Sequence, residues 1–405
     1  MSSVTRLATG PLKNKLIEII RSKGPLSVAD YMKIVLTNPE SGFYMNDDVF
    51  GVKGHFTTSP EISQLFGEVI GAWVLQEWRR FGSPRPLKLI EFGPGRGTLM
   101  SDVARTICAL EKPVRDDLQI KLIEMSPKLT EVQRKTLEKQ NGLAKQARWY
   151  SLIEQVEKDD SGFTAFLAHE YLDALPIHKF VRDPTTNAWR ELVIDYDANQ
   201  ELRFCISRQP SLASRLLIPE NFKGNHFEVC PQAALQLERV SERLNSSRKG
   251  CMLICDYGFE RDYNNMSEDK SPTVTTSVEP VRHERDTFRA FKNHQSWPPL
   301  KDPGEADLTA DVDFGYLKRH LKDKSLIFGS VDQATFLTNC GLQARLQVLL
   351  KNASEDEKRD LLTGAEMIIE DMGTRYRFMA LFPATCKAMF EQDPPAGFME
   401  ITSSD

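Results

Sequence analysis

Leu87-Lys88-Leu89-Ile90-Glu91-Phe92-Gly93-Pro94-Gly95-Arg96-Gly97-Thr98-Leu99 decides the fold of this chain. An apolar run carrying one acid gives way to glycines at alternate positions, and a helical pattern follows. The order is strand, tight turn, helix. Glycine belongs where the backbone turns sharply or admits a ligand without a Cβ in the way. The helix beyond begins with free N–H groups aimed at the same point. At the end of a sheet strand, such a turn makes a nucleotide-binding crevice.

The spacing narrows the nucleotide. A phosphate-binding P-loop needs a Lys-Ser/Thr pair, and none follows Gly97. The dinucleotide fingerprint sets its third glycine one residue later than Gly97. Glu91 precedes the glycines, and a carboxylate there repels a diphosphate but suits a cationic ligand. The acid-x-Gly-x-Gly-x-Gly form of Glu91, Gly93, Gly95 and Gly97 resembles motif I of class I S-adenosylmethionine (SAM) methyltransferases. SAM carries an ammonium and a sulfonium and no phosphate. The next apolar run, Gln119-Ile120-Lys121-Leu122-Ile123-Glu124, ends in a second acid. An acid at the end of the second strand of a doubly wound fold takes ribose hydroxyls, and both are free in SAM. The plainer alternative for Glu124 is a solvated strand-end acid.

Composition bounds the rest. A length of 405 residues allows one large domain with insertions, or two domains. Hydrophobic residues at 40% and charged residues at 27% are those of a globular protein with a core. The net charge of −5 gives no reason to expect nucleic acid as a partner. Seven cysteines, an odd number without metal-ligand spacing, point to a reducing compartment and to no metal site. Cys251 and Cys255 share the apolar run Cys251-Met252-Leu253-Ile254-Cys255-Asp256, which reads as a buried strand. No apolar run approaches the length of a transmembrane helix, and no secretory signal is read. The acid-free first residues, with Arg6, Lys13 and Lys15, read either as the remnant of a mitochondrial presequence or as an ordinary N-terminus.

Strands are expected near 87–92, 119–124, 147–150, 164–169 and 251–256, with helices between them. That alternation is the α/β pattern of a parallel sheet with crossovers. A last strand is expected over 375–382. Residues 12–20 and 27–36 read as amphipathic helices, the second with Ser27 as N-cap. A helix is expected to start at Ser59-Pro60-Glu61 and run through Trp78, with proline at its first position. Lys179–Arg182, Trp189–Asp195 and Leu202–Ser207 read as antiparallel strands. The segments are therefore 1–83, a helical cap with a hairpin; 84–176, the first part of the SAM-binding core; 177–246, a substrate-side insertion; 247–390, the second part of the core with a loop insertion; and 391–405, a tail expected to be disordered. The polar stretch 261–278 reads as a mobile loop.

Further segments carry a more specific resemblance. They are Val28-Ala29-Asp30-Tyr31-Met32, Thr37-Asn38-Pro39, Gly42-Phe43-Tyr44 and Gly54 to Ser63 near the N-terminus. In the core they are Glu91 to Gly97, Ala168-His169-Glu170-Tyr171-Leu172-Asp173-Ala174-Leu175-Pro176 and Asp256-Tyr257-Gly258. Later come Asp286-Thr287-Phe288-Arg289, Asp307 to Phe314 and Met372-Gly373. In this order they resemble the MidA family, mitochondrial complex I assembly factors that are protein arginine methyltransferases. The resemblance runs from about residue 11 to 383 and covers nearly the whole chain. It implies a class I methyltransferase fold, Rossmann-like with a mostly parallel seven-stranded sheet, and SAM as cofactor. It also implies a protein substrate, an arginine on a matrix subunit of respiratory complex I, with symmetric dimethylarginine as product and the mitochondrial matrix as location. The oligomeric state stays open, a homodimer included.

Methyl transfer is an in-line displacement, so the enzyme chiefly aligns nucleophile and methyl. A guanidinium is protonated and a poor nucleophile. Carboxylates that clamp it bidentately orient it and localise its charge away from the attacking nitrogen. Glu170 and Asp173, past the fourth strand, are the candidates for that clamp, and His169 is the candidate to take the product proton. Asp173 reads equally as a helix N-cap, and His169 as structural. Asp256 either accepts from the substrate or holds the loop, and Tyr257 is placed to stack on an alkyl–guanidinium arm. Ser151 and Leu152, past the third strand, are expected to meet the adenine. Ser59, with Thr58 and the helix start at Pro60, is expected to offer donors to the methionine carboxylate, or simply to cap the helix. Between Arg261 and Asp307, residues outside 286–289 carry no assigned role. Two other function classes compete: a SAM-binding assembly chaperone without catalysis, and a dinucleotide-dependent oxidoreductase, against which the glycine spacing and Glu91 argue. A methyltransferase for another substrate is a third option.

Overall fold

Seven strands form the main path of the central sheet, β1 (Leu87–Phe92), β2 (Gln119–Ile123), β3 (Ala147–Tyr150), β4 (Phe163–His169), β5 (Gly250–Phe259), β6 (Ser325–Asp332) and β7 (Tyr376–Pro383), and the short strand Val312–Asp313 joins as an eighth beside the end of β5. In this computed structural model, residues 10–46, 58–139, 142–220, 222, 224–263 and 286–398 are described. The strand order is β6-β7-β5-β4-β1-β2-β3. All strands run parallel except β7, which is antiparallel to both neighbours. This is the mostly parallel seven-stranded sheet that the resemblance implied. Its order reverses direction at β1, so the crevice past the ends of β1 and β4 is the switch point where ligands bind in such sheets.

The helices α1 (Pro11–Lys23) and α2 (Val28–Thr37) belong to the N-terminal cap, and around the sheet lie α3 (Gln64–Arg80), α4 (Thr98–Leu110), α5 (Pro127–Glu138), α6 (Pro231–Ser247), α7 (Phe314–Leu321), α8 (Leu342–Asn352) and α9 (Glu355–Glu366). The period of two is visible in the cores. Phe163, Ala165 and Leu167 of β4 face α3 and α4, while Phe166 and Ala168 face α6 and α7. Both faces are apolar because helices cover both.

The chain outside this sheet is tied together more closely than the sequence suggested. His178–Arg182, Trp189–Tyr196, Leu202–Ile206 and His226–Val229 form an antiparallel sheet. Leu26–Ser27, just before α2, adds a strand to it by pairing with Val193 and Ile194. Cap and insertion therefore share one sheet and one core, in which Leu16, Tyr31 and Met32 pack with Ile177, Ile194 and Phe288. A second small sheet has the order Gln295–Trp297, Arg289–Lys292, Asp307–Thr309, and Tyr31 Oη reaches it by donating to Pro299 O at 2.8 Å.

Several expectations are corrected. The helix from Ser59 is broken: Ser59–Ile62 makes one turn, Ser63 is extended, and its hydroxyl caps α3 by accepting from Leu65 N–H. Residues 231–246, grouped with the insertion, belong to the crossover helix α6 on the central sheet, because Ala233, Ala234, Leu237, Val240 and Leu244 make an apolar stripe against it. Arg261 is buried: its guanidinium lies 4.8 Å over Phe227 and pairs with Asp313 at 3.3 Å. The rest of the expected mobile loop, from 264, lies outside the described residues, as do Gly54, His55 and Phe56 of the expected hairpin. The tail is packed as far as 398, where Ala396 O accepts from Trp73 Nε1 at 2.9 Å and Phe398 lies against Phe336. Arg6 is outside the described residues, whereas Lys13 and Lys15 lie on α1, Lys13 pairing with Glu201 at 2.6 Å.

Candidate active site

The glycine loop turns as its spacing requires. Gly93, Gly95 and Gly97 have φ of +55°, +53° and +80°, in the left-handed region that side chains resist. Gly93 N–H donates to Ile123 O at 3.0 Å, and a Cβ on Gly93 would stand 2.8 Å from the Tyr171 ring. Gln133 of α5 locks the loop to the second strand end. Its Nε2 donates to Gly95 O at 2.8 Å and to Glu124 Oε2 at 3.0 Å, while its Oε1 accepts from Trp149 Nε1 at 2.9 Å. The sequence reading missed Gln133. The available signal was a polar residue between Leu129 and Leu137 on the buried face of α5.

A cavity of about 1370 Å³ opens here. Gly93, Gly95, Glu124, Met125, Ser151 and Leu152 line one end of it. Glu124 Oε1 accepts from Ser126 N–H at 2.7 Å, and burial pushes this carboxyl up to about 7. The cavity end thus offers a fixed carboxylate for a diol, apolar walls for a base and open backbone beside them, a set that fits SAM.

Four expected residues do not line the cavity. Glu91 shares the face of Leu87 and Leu89, under α4, where it accepts from Met100 N–H; burial pushes it up to about 8. Gly97 packs on Gln133 and starts α4. Ser59 is fully buried, its hydroxyl 3.5 Å from Met372 Sδ. His169 follows Leu167 on the α3 face, edge-on to Phe66 at 5.0 Å, and burial lowers it to about 3. It is a neutral ring behind Glu170, with Nε2 3.7 Å from Glu170 Oε1.

The other end of the cavity is acidic. Glu170, Asp173 and Asp307 all line it, and all are buried enough to be pushed up. Glu170 reaches about 8 through burial, with the Asp173 charge adding to it. Asp307 also reaches about 8, chiefly by burial. Glu170 has φ +47°, rare for a residue with a side chain and characteristic of functional turns. Each carboxylate carries one phenol: Tyr376 Oη donates to Glu170 Oε1 at 3.0 Å, Tyr257 Oη donates to Asp173 Oδ2, and Tyr44 Oη donates to Asp307 Oδ1 at 2.6 Å. Asp173 Oδ2 also accepts from Thr309 Oγ1 at 2.7 Å, while its buried Oδ1 has no hydrogen-bond partner.

Asp256 resolves its two readings. It is outside the cavity, and its Oδ2 accepts from the N–H groups of Tyr171, Leu172 and Asp173 at 3.2, 2.9 and 3.4 Å. It holds the loop that presents Glu170 and Asp173. Tyr257 lines the cavity, and Arg289 lies 4.9 Å over its ring while pairing with Asp311 at 2.6 Å.

Comparison with known proteins agrees with this geometry. Residues 69–329 match the family described as "Putative S-adenosyl-L-methionine-dependent methyltransferase". The zebrafish (Danio rerio) protein named "Protein arginine methyltransferase NDUFAF7, mitochondrial" is 38% identical over 427 residues, covering 99% of this chain and 94% of that one. The human protein of the same name is 38% identical over 396 residues, covering 92% and 83%. A Drosophila melanogaster homolog is 36% identical over 427 residues, covering 98% and 90%. A crystal structure of a Burkholderia thailandensis protein bound to S-adenosyl-homocysteine shares the fold, with a TM-score of 0.74 at 23% identity over 93% of this chain and 95% of that one. The chain belongs to this family of S-adenosyl-L-methionine-dependent methyltransferases, the one that includes the mitochondrial arginine methyltransferases named above.

Proposed function

We propose that the protein is a SAM-dependent protein arginine methyltransferase. It acts in the mitochondrial matrix on a subunit of the matrix arm of complex I during assembly and forms symmetric dimethylarginine. The carrying observation is the pair of carboxylates, Glu170 and the buried Asp173, in one cavity with the glycine loop. When bound, SAM supplies an electrophilic methyl on a sulfonium. Glu124 takes the ribose hydroxyls, Ile123, Met125 and Leu152 flank the adenine, and the Gly93–Gly95 backbone faces the methionine part. Glu170 and Asp173 bind the substrate guanidinium and hold its charge away from the attacking nitrogen. The low basicity of His169 argues that it supports Glu170 and leaves the product proton to the carboxylates.

The relatives' names support the arginine substrate and the mitochondrial setting, and among the described residues no helix is long and apolar enough to cross a membrane. The test is incubation of the purified protein with isotope-labelled SAM and the isolated matrix-arm subunits, followed by mass spectrometry. Label on an arginine is expected. SAM binding without transfer to any arginine would sink this function and favour an assembly chaperone that needs no catalysis.

A further inference from the structure

We propose that Asp307, held by Tyr44 of the N-terminal cap, is a third carboxylate of the substrate-arginine pocket and binds the guanidinium directly. This rests on the arginine reading above and adds two residues from outside the central sheet. Tyr257 and Tyr376 face each other across the β5–β7 pairing, and each orients one carboxylate past the end of β4. The Tyr44–Asp307 pair repeats that arrangement from the opposite side of the chain. Tyr44 comes from the one-turn helix Phe43–Asn46, and Asp307 opens the strand Asp307–Thr309. Both line the same cavity as Glu170 and Asp173.

Charge and donor count favour a guanidinium there. Among the described residues, no lysine or arginine forms an ion pair with Asp307, Asp173 or Glu170. Arg289 is near Asp173 but is engaged by Asp311. Three carboxylates lining one pocket repel one another, and the buried, unpartnered Asp173 Oδ1 leaves an acceptor facing no donor. A bound cation with several N–H groups relieves both costs. A guanidinium presents five donors in a plane, more than two carboxylates can engage through paired contacts, whereas a lysine ammonium presents three on a single point. The third carboxylate therefore also favours arginine over lysine.

The experiment uses the full chain and an arginine peptide that the wild-type protein methylates. Asp307→Asn is expected to raise KM for that peptide tenfold or more, with the SAM dissociation constant by calorimetry changed less than twofold. Tyr44→Phe keeps the carboxylate but removes the hydrogen bond that lowers its proton affinity. The groups facing Asp307 are Tyr44 from the cap, Glu170 and Asp173 past β4, and Arg289 from the neighbouring strand. Loss of the phenol should move the acid limb of the pH profile of kcat/KM to higher pH. An unchanged KM in a folded Asp307→Asn protein overturns the proposal. So does an unchanged pH profile in Tyr44→Phe, which decides the matter if Asp307→Asn does not fold. Wild-type protein that methylates no arginine overturns the underlying function and this proposal together, whereas an active wild type with indifferent variants overturns this proposal alone.

Discussion

Glu170 holds a carboxyl that is only 13% exposed, on a backbone angle that side chains resist. Its proton affinity, raised to about 8, fixes the sign of its effect on stability. A carboxyl whose folded value lies above its unfolded value costs stability once pH exceeds the unfolded value, and the cost grows until pH reaches the folded one. Glu170→Gln should therefore melt higher than the wild type, by a margin that widens from pH 5 to pH 8, while methyl transfer falls a hundredfold or more. Scanning calorimetry at several pH values and a labelled-SAM assay check the two halves. A margin that shrinks with pH would contradict the burial argument. Glu124→Gln keeps the shape but removes a charged acceptor, and the SAM dissociation constant should rise by roughly tenfold or more, matching the ~1.5–3 kcal/mol of a hydrogen bond to a charged group. Calorimetric titration measures it.

At the scale of elements, the glycine loop is a piece of geometry with little tolerance. Gly93→Ala places a Cβ against the Tyr171 ring at positive φ, a strain of about 1–2 kcal/mol before the clash is counted. Its melting temperature should fall and SAM binding should weaken, while a substitution at the exposed Gly82 beyond α3, where a Cβ meets nothing within 4 Å, costs only the backbone strain. The loop and the five parallel strands were legible because local spacing dictates them. Glu91 lies off the cavity for a reason of facing: the period of two turns it under α4 with Leu87 and Leu89. Ser59 and His169 are likewise polar residues next to the site in sequence whose side chains are buried in the core. The Tyr44–Asp307 pair was illegible for a different reason. The two residues come from distant segments, and no local pattern announces a contact across 263 residues. Strand β6 was missed because β7 supplies its pairing from beyond a long helical stretch.

For the molecule as a whole, the described end of the chain is structural. Removal of residues 394–405 strips the acceptor from the buried Trp73 Nε1 and uncovers Phe336 and Phe328, which Phe398 packs against. An unsatisfied buried donor alone costs about 1–3 kcal/mol. The truncated protein should unfold at lower denaturant concentration, with Trp fluorescence shifted to the red; an unchanged midpoint would show that the tail contributes nothing. The strand Leu26–Ser27, bonded to Val193 and Ile194, has a consequence of another kind. The SAM end of the cavity uses residues from Gly93 to Leu152, whereas the acidic end needs Tyr44 joined to Asp307. Contacts between distant parts of a chain close late, because the loop between them must first be ordered. On that ordering the arginine end is expected to form after the SAM end, and pulsed hydrogen exchange during refolding should find protection around Tyr44 and Asp307 appearing last.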